Sequence, residues 1–432
     1  MSFSSVRWLY SIAAVAAQPF VRRKLRRRGR AEPGYLDSVG ERFGQYEGRP
    51  QPGALWIHAV SLGETRAASI LIDRLRHLQP NIRILLTHGT ATGRAEGARL
   101  LRPGDAQAWL PWDTPHAVRC FLDHFKPRAG LMMETEVWPN LVSEASRRGL
   151  PLMLANARLS DKSLAGTRRL AWLSRPAYAA LTAVWAQTEA DAQRLRAAGA
   201  QVQGVFGNLK FDAQPQPQQL QQGRRWREAS ARPVLMFASS REGEELEFFR
   251  AIKSLAQPLP MQVLLVPRHP QRFAEVQALA EQHGLSVTRR SHWRTQPEPA
   301  DVWLGDSLGE MALYYGMSHV ALLGGSFAPL GGQNLIEAAA CGTPVVMGPH
   351  TFNFAQAAQM AQQCGAALRV QDMGQAVHAA QALLADPVAR DTAVRSALAF
   401  AAANQGAADK TAQAVLRVLG PVALAPPAAA KA

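Results

Sequence analysis

Short apolar runs recur along the chain, each followed by a stretch in which apolar positions return at helical spacing. In the first half they are Leu55 to Val60, Ile84 to Thr87, Leu131 to Met133, Leu152 to Leu154 and Val184 to Ala186. In the second half they are Val234 to Phe237, Val263 to Val266, Val320 to Leu323 and Pro344 to Met347. Unbroken apolar runs, as opposed to alternating ones, suit strands covered on both faces, and their alternation with helical patterns predicts parallel sheets of α/β type. Between the two series the composition turns to Gln and Pro, with Gln214, Pro215, Gln216, Pro217, Gln218, Gln219, Gln221 and Gln222. The pattern therefore predicts two α/β domains, 31–212 and 233–420, joined by a linker over 213–232. Chemistry is expected in a cleft between them, outside the carboxyl ends of the strands. The Pro- and Ala-rich residues 421–432 are expected to be a disordered tail.

The first thirty residues do not follow this rhythm. Trp8 to Val21 is a charge-free stretch of fourteen residues carrying Trp8, Leu9, Ile12, Val15 and Phe20 at roughly helical spacing. A helix of that length reaches ~21 Å, short of the ~30 Å hydrocarbon core of a bilayer. The run from Arg22 to Arg30 follows, with seven basic residues in nine, and supplies nearly half of the formal net charge of +15. An apolar helix followed by a polybasic run suits a segment that associates with an anionic membrane surface, each basic side chain adding about 1 kcal/mol. Residues 1–30 are read so, and the positive-inside tendency then puts the body on the cytoplasmic side. The rivals are a solvated or packed helix and a cleaved signal peptide, whose charge belongs before the apolar stretch. Nucleic acid is the weaker partner for this run, because no stacking aromatics are interleaved with it.

At 432 residues, 47% hydrophobic and 19% charged, the chain can bury a core in each of two domains and is too apolar for a disordered protein. Cys120, Cys341 and Cys364 are too few and scattered for a disulfide framework or a C-x-x-C metal site. They are expected to be reduced.

Candidate chemistry sits where apolar runs end. The first run passes into His58-Ala59-Val60-Ser61-Leu62-Gly63-Glu64-Thr65, a small-residue turn whose backbone N–H groups open a helix and can receive an anion. Here Ser61 and Gly63 are candidates, and the alternative for Glu64 is a plain helix cap. Thr87 to Gly93 forms a second such loop. The third is Glu134-Thr135-Glu136-Val137-Trp138-Pro139-Asn140, two carboxylates with an aromatic at a strand end. Glu41, within Gly40-Glu41-Arg42-Phe43-Gly44, precedes the first strand; composition alone makes it a solvated acid.

In the second half Pro267-Arg268-His269-Pro270 ends an apolar run, with two prolines aiming two basic side chains where an anionic phosphate could be held. Gly324-Gly325-Ser326, and Gly331 to Ala338 with its helix start at Asn334, suit close approach of a nucleotide. Glu337, a turn into that helix, could accept from ribose hydroxyls. No histidine pair has metal-ligand spacing, no Asp-x-Asp occurs, and no nucleophile elbow, Walker loop or nicotinamide fingerprint is present. Neither a metal nor a cofactor is expected.

In order, these segments resemble the 3-deoxy-D-manno-octulosonic acid (Kdo) transferases. The likeness runs from the amino-terminal helix and Glu41-Arg42-Phe43-Gly44 through the Ser61 and Glu134 loops. It continues with Asn156-Ala157-Arg158-Leu159-Ser160, Gly207-Asn208-Leu209-Lys210-Phe211-Asp212, Pro267 to Pro270, Gly331 to Glu337 and Gly348-Pro349-His350-Thr351-Phe352-Asn353-Phe354. The chain departs from the family pattern at Ser240-Arg241 and at Gln333 and Leu335. The resemblance implies a glycosyltransferase-B fold of two Rossmann-like domains and transfer of Kdo from CMP-Kdo to a lipid A precursor at the inner membrane. It implies Glu41 as general base and Ser61, Gly63 and Glu136 facing donor or acceptor; Glu64 is a further substrate-side candidate, and in a transferase without a metal Lys210, Arg241 and Arg268 are the candidates to neutralise the leaving phosphate. It also implies that CMP lies against Arg268, His269, Gly324 to Ser326, Asn334 and Glu337. Other readings of the same architecture are a glycosyltransferase using a UDP-sugar, a sugar-nucleotide epimerase, and a membrane-bound protein that binds without turnover.

Overall fold

The computed structural model describes residues 3–255 and 258–420; the expected tail at 421–432 lies outside them. The described residues divide into two compact units, 3–212 with 405–420, and 213–404.

The first unit is built on seven parallel strands: β1 (Leu55–His58), β2 (Ile84–His88), β3 (Ala106–Trp109), β4 (Ala129–Met133), β5 (Leu152–Ala157), β6 (Ala183–Ala186) and β7 (Val202–Val205). Their order is β3-β2-β1-β4-β5-β6-β7. Leu55 pairs with both Ile84 and Ala129, so β1 is central, and the direction of winding reverses between β1 and β4. Successive side chains enter opposite layers. Trp56 joins Phe121, Leu154 and Val184 on one face, whereas Leu55 and Ile57 join Leu71, Ile84 and Leu131 on the other. Each buried Leu or Ile of this kind contributes about 1.5–3 kcal/mol, and burial of both faces explains the unbroken apolar runs.

The second unit repeats the plan with β8 (Val234–Ser240), β9 (Gln262–Pro267), β10 (Val287–Arg289), β11 (Val302–Leu304), β12 (Val320–Leu323), β13 (Val345–Met347) and β14 (Ala367–Arg369), in the order β10-β11-β9-β8-β12-β13-β14. Here the reversal falls between β8 and β12. Five strands, β3, β7, β10, β11 and β14, go beyond the apolar runs of the sequence. All are three or four residues long, and four of them are edge strands, with β11 next to an edge, where a sheet needs less apolar cover.

Two boundaries differ from the sequence reading. The segment 213–232, expected as a linker, holds the helix Pro217–Glu228, which belongs to the second unit. Gly223 of this helix lies against the backbone of Leu313 and Met317, and Trp226 is buried with its Nε1–H donating to Thr295 O at 3.1 Å. The surface of this helix is Gln- and Arg-rich, which is why composition alone suggests a loop. The second correction concerns residues 405–420, expected in the second domain. The helix Ala407–Leu419 returns to the first unit, where Ala407, Ala412 and Val415 complete the layer over β1. Asp212 fixes its start by accepting N–H groups from Gly406 and Ala408.

The amino terminus forms two helices, α1 (Phe3–Ala16) and α2 (Gln18–Ala31), with Pro19 in the first turn of the second. The inner side of α1 is pinned. Tyr10 Oη donates to Asp113 at 2.9 Å, Ser11 Oγ to Asn140 at 2.9 Å, and Ala14 O accepts from Trp112 Nε1 at 2.8 Å. Trp8, Leu9, Ile12 and Val15 face outward and are exposed. Leu25 and Gly29 of α2 are buried against Tyr35, Phe43 and their neighbours, while the seven basic residues from Arg22 to Arg30 are all exposed. Among the described residues no helix is long and apolar enough to cross a membrane.

Candidate functional site

Winding in opposite directions from β1 and β4 leaves a crevice at their carboxyl ends, the usual place for ligands in open α/β sheets. Several loops of the first unit arrive at that edge. After β1, Ser61 caps the helix α3 (Leu62–Leu78), its Oγ accepting the Glu64 N–H at 3.4 Å and donating to Glu64 Oε1 at 3.0 Å. Glu64 Oε2 accepts the Val60 N–H at 2.9 Å. The plain capping reading of Glu64 is therefore met in geometry, and Ser61 serves the same cap. Gly63 beside them is exposed. Burial pushes the Glu64 carboxyl up to about 7, and Glu134 and Glu136 push it the same way.

After β4, Glu134 adopts a left-handed backbone with φ of +59° and is buried. Its charge is met by Arg158 Nε at 2.7 Å and Lys210 Nζ at 3.6 Å. Glu136 accepts from Trp138 Nε1 at 2.7 Å, and its own burial raises its pKa. Glu64, Glu136 and Lys210, far apart in sequence, thus meet around Glu134.

Glu41 comes to the same edge from outside the sheet. The 3-10 turn Val39–Phe43 is bracketed by left-handed Ser38 and Gly44. At Gly44, with φ of +87°, a side chain would press on the backbone of Ala117 at 3.0 Å. The turn sets Glu41 Oε2 at 2.8 Å from the N–H of Trp109, the last residue of β3, and at 3.0 Å from Arg94 Nη1. Arg42 lies 3.7 Å above the Trp109 ring and donates to Gly89 O at 3.1 Å, while Tyr35 stacks on the same ring. Glu41 is thus no solvated surface acid. Its carboxylate has 17% exposure and a fixed direction.

Arg94 and Arg158 are site residues that the sequence reading did not single out. Arg94 had a signal, since a cation in the first turn of the helix Ala91–Ala98 opposes the helix dipole unless an acid lies nearby.

In the second unit the loops after β8, β9 and β12 converge. Gly324 N–H donates to Ala238 O at 2.8 Å, and a side chain at Gly324 would strike Ser239 O. Glu244 accepts from the N–H groups of Gly325 at 2.8 Å, Arg241 at 3.0 Å, Phe327 at 3.1 Å and Ala328 at 3.2 Å. The amides of the Gly-rich loop, expected to meet a nucleotide, are therefore already engaged by a buried carboxylate. Ser326 is likewise buried and committed, donating to Leu323 O and accepting from Gly348 N–H at 2.8 Å. Neither feature is legible without knowing that residue 244 adjoins 325 and that residue 326 adjoins 348.

What these loops present is positive. Burial, and then the nearness of Arg241 and Arg268, holds the His269 pKa below the usual histidine value, so these three basic groups share one locality. Arg241 also pairs with Glu242 at 3.1 Å. Asn334 caps its helix by accepting from Ile336 N–H at 3.2 Å, with Glu337 in that first turn. Gly331 and Gly332, at φ of +90° and +74°, let the loop fold onto Asn353 and Gly325. Among the described residues no group of three His, Cys, Asp or Glu side chains could hold a metal ion.

Two parallel α/β sheets, one edged by carboxylates on fixed turns and the other by converging cations beside Gly-rich loops, give the chain the glycosyltransferase-B plan. A solved UDP-GlcNAc 2-epimerase from Neisseria meningitidis bound to UDP-GlcNAc shares this fold, with a TM-score of 0.56, 16% identity, and cover of 84% of this chain and 100% of that one.

Sequence comparison narrows the class. The family model described as "3-Deoxy-D-manno-octulosonic-acid transferase (kdotransferase)" matches residues 37–213. A 3-deoxy-D-manno-octulosonic acid transferase from Bordetella pertussis is 47% identical over 96% of this chain and 100% of its own length. One from Haemophilus influenzae is 30% identical over 93% and 96%. The chain belongs to the Kdo transferase family and is a glycosyltransferase.

Proposed function

We propose that the protein transfers Kdo from CMP-Kdo to a hydroxyl of a lipid A precursor, lipid IVA, with Glu41 as general base. The observation that carries this reading is the engagement of Glu41. Both of its contacts fall on Oε2, so Oε1 remains for an acceptor proton while Arg94 and the Trp109 amide hold the group in place. Glu64, whose raised pKa would also suit a base, has each oxygen engaged in the Ser61 cap. That favours Glu41.

In the step, Glu41 removes the proton from the acceptor hydroxyl as its oxygen bonds to the anomeric carbon of Kdo. The bond from that carbon to the CMP phosphate oxygen breaks, and CMP leaves with the electron pair. Arg241, Arg268 and His269 are suited to the departing phosphate, since fixed cations stabilise charge as it develops. Gly324 to Ser326 shape the backbone near the nucleotide, Asn334 and Glu337 are candidates for the ribose, and Ser61, Gly63, Glu64 and Glu136 border the acceptor side. No metal or cofactor enters this scheme.

An acceptor with acyl chains stays in a bilayer, and the outward apolar face of α1 beside the exposed cations of α2 suits docking to an anionic leaflet. The inner membrane, at its cytoplasmic face, is the proposed location. Nucleic acid has no part in the proposal.

The test is Kdo transfer by the purified protein with CMP-Kdo, tetraacyl acceptor and EDTA, products being resolved by mass. Product is expected, with Glu41→Gln turning over about 10²- to 10⁴-fold more slowly at unchanged thermal stability. An undiminished Glu41→Gln rate would remove Glu41 from the mechanism. Absence of product from the folded wild type would turn attention to UDP-sugars.

A further inference from the structure

The first unit leaves a second apolar corner uncovered. The helices Asp161–Arg169 and Ala171–Ala179 meet at Leu170, whose carbonyl oxygen accepts from Ser174 Oγ at 3.0 Å while the same hydroxyl donates to Thr167 O at 2.8 Å. The corner is thereby fixed. Leu173, Ala177 and Tyr178 point into the core, and Leu170 and Trp172 point out, each 49% exposed.

Single exposed apolar residues are ordinary and need no explanation. Three observations set this corner apart. All ten tryptophans are described, and the exposed ones are Trp8 on α1 and Trp172 here. Tryptophan is the side chain most at home where hydrocarbon meets water. Next, the helix Ala171–Ala179 packs beside α1, so the two exposed tryptophans lie on neighbouring elements. Finally, charge along the chain around them is mostly of one sign, Asp161 at the start of the first helix lying 3.6 Å from Arg194. Residues 162–188 contain Lys162, Arg168, Arg169 and Arg175 and no acid, just as residues 1–31 contain eight cations and no acid. An apolar tip collared by cations matches the chemistry of an anionic lipid leaflet and repels a cationic surface such as a second copy of α2.

We infer that the Leu170–Trp172 corner, with Arg168 and Arg169, is a second lipid-inserting contact, which acts with α1 to fix how the first unit sits on an anionic bilayer. The inference rests on the membrane-docking reading of α1. Two tethers on neighbouring helices restrict tilt where one helix would leave the body free to swing, so the corner sets the height of the Glu41 edge above the lipid headgroups.

Flotation of the full-length protein tests it, using vesicles of equimolar phosphatidylethanolamine and phosphatidylglycerol. Leu170→Ser with Trp172→Ser is expected to weaken partition by about tenfold or more, to leave the melting temperature unchanged, and to leave transfer to a detergent-dispersed acceptor unchanged. Arg168→Gln with Arg169→Gln is expected to weaken partition in a salt-dependent way. If Trp8→Ser with Ile12→Ser abolishes flotation and the corner variant floats like wild type, the second contact is wrong and α1 docking stands. If wild type itself does not float, both fall. A dimer in light scattering that Trp172→Ser dissociates, with flotation intact, would give the corner to a second copy and overturn the inference.

Discussion

Glu244 closes the Gly-rich loop of the second unit through the amide of Gly325, eighty-one residues away in sequence, at 2.8 Å. Together with the amides of Arg241, Phe327 and Ala328 it makes one buried carboxylate the hub of two strand ends. Its replacement should therefore act on the fold before it acts on chemistry. Glu244→Ala leaves four amides without their acceptor and should lower the stability of the second unit by about 3 kcal/mol or more. Glu244→Gln, which can still accept, should lose less. Urea unfolding monitored in the second unit would measure both, and equal stability of all three proteins would refute the hub.

Glycine in a helix is ordinarily improved by alanine, by about 0.5–1 kcal/mol. Gly223 should reverse that sign. It faces Gly316 across the contact between the helices Pro217–Glu228 and Met311–Met317, and a methyl group there would press on the Leu313 carbonyl. Gly223→Ala is expected to destabilise by about 1–3 kcal/mol. An equal or higher melting temperature would mean that the two helices separate at little expense.

The helix Ala407–Leu419 should be indispensable to the first unit although it follows the second in sequence. A chain ending at residue 404 removes Ala407, Ala412 and Val415 from the layer over β1, and should expose apolar surface to a dye such as ANS or fail to accumulate. The milder Asp212→Asn removes the charge from the cap at Gly406 and Ala408 and should cost about 1 kcal/mol.

Acid should destabilise the protein through buried imidazoles. Burial holds His58 down to about 3 and His88 and His319 down to about 4, against 6.5 when unfolded. The unfolded chain then binds more protons between pH 6.5 and 4, so this contribution is full above 6.5 and is lost as pH falls. Glu64 and Asp113, raised by burial to about 7 and about 6, act oppositely and favour the folded state as pH drops. Comparing wild type with His58→Gln across this window isolates one term. The variant should show a shallower loss of stability on acidification, and parallel profiles would refute the assignment.

What the sequence made legible was local. The Ser61 and Glu64 cap, the strand runs and the outward face of α1 follow from spacing alone. Partners distant in the chain were not legible: Glu244 with Gly325, Arg94 with Glu41, and the return of Val415 to β1 all depend on topology. The helix Pro217–Glu228 was hidden for another reason, since its contact face holds Gly223 and Trp226 among Gln and Arg, too sparse an apolar stripe to outweigh two prolines. Glu41 lay between these cases, its importance visible only through family resemblance because its partners are a cation and a backbone amide from two other segments.

The return of the last helix has a consequence for synthesis. The strands of the first sheet are made early, yet the helix layer that finishes that sheet emerges only after the whole second unit has been made. A nascent chain would thus hold an incomplete first sheet for the time needed to translate nearly two hundred residues.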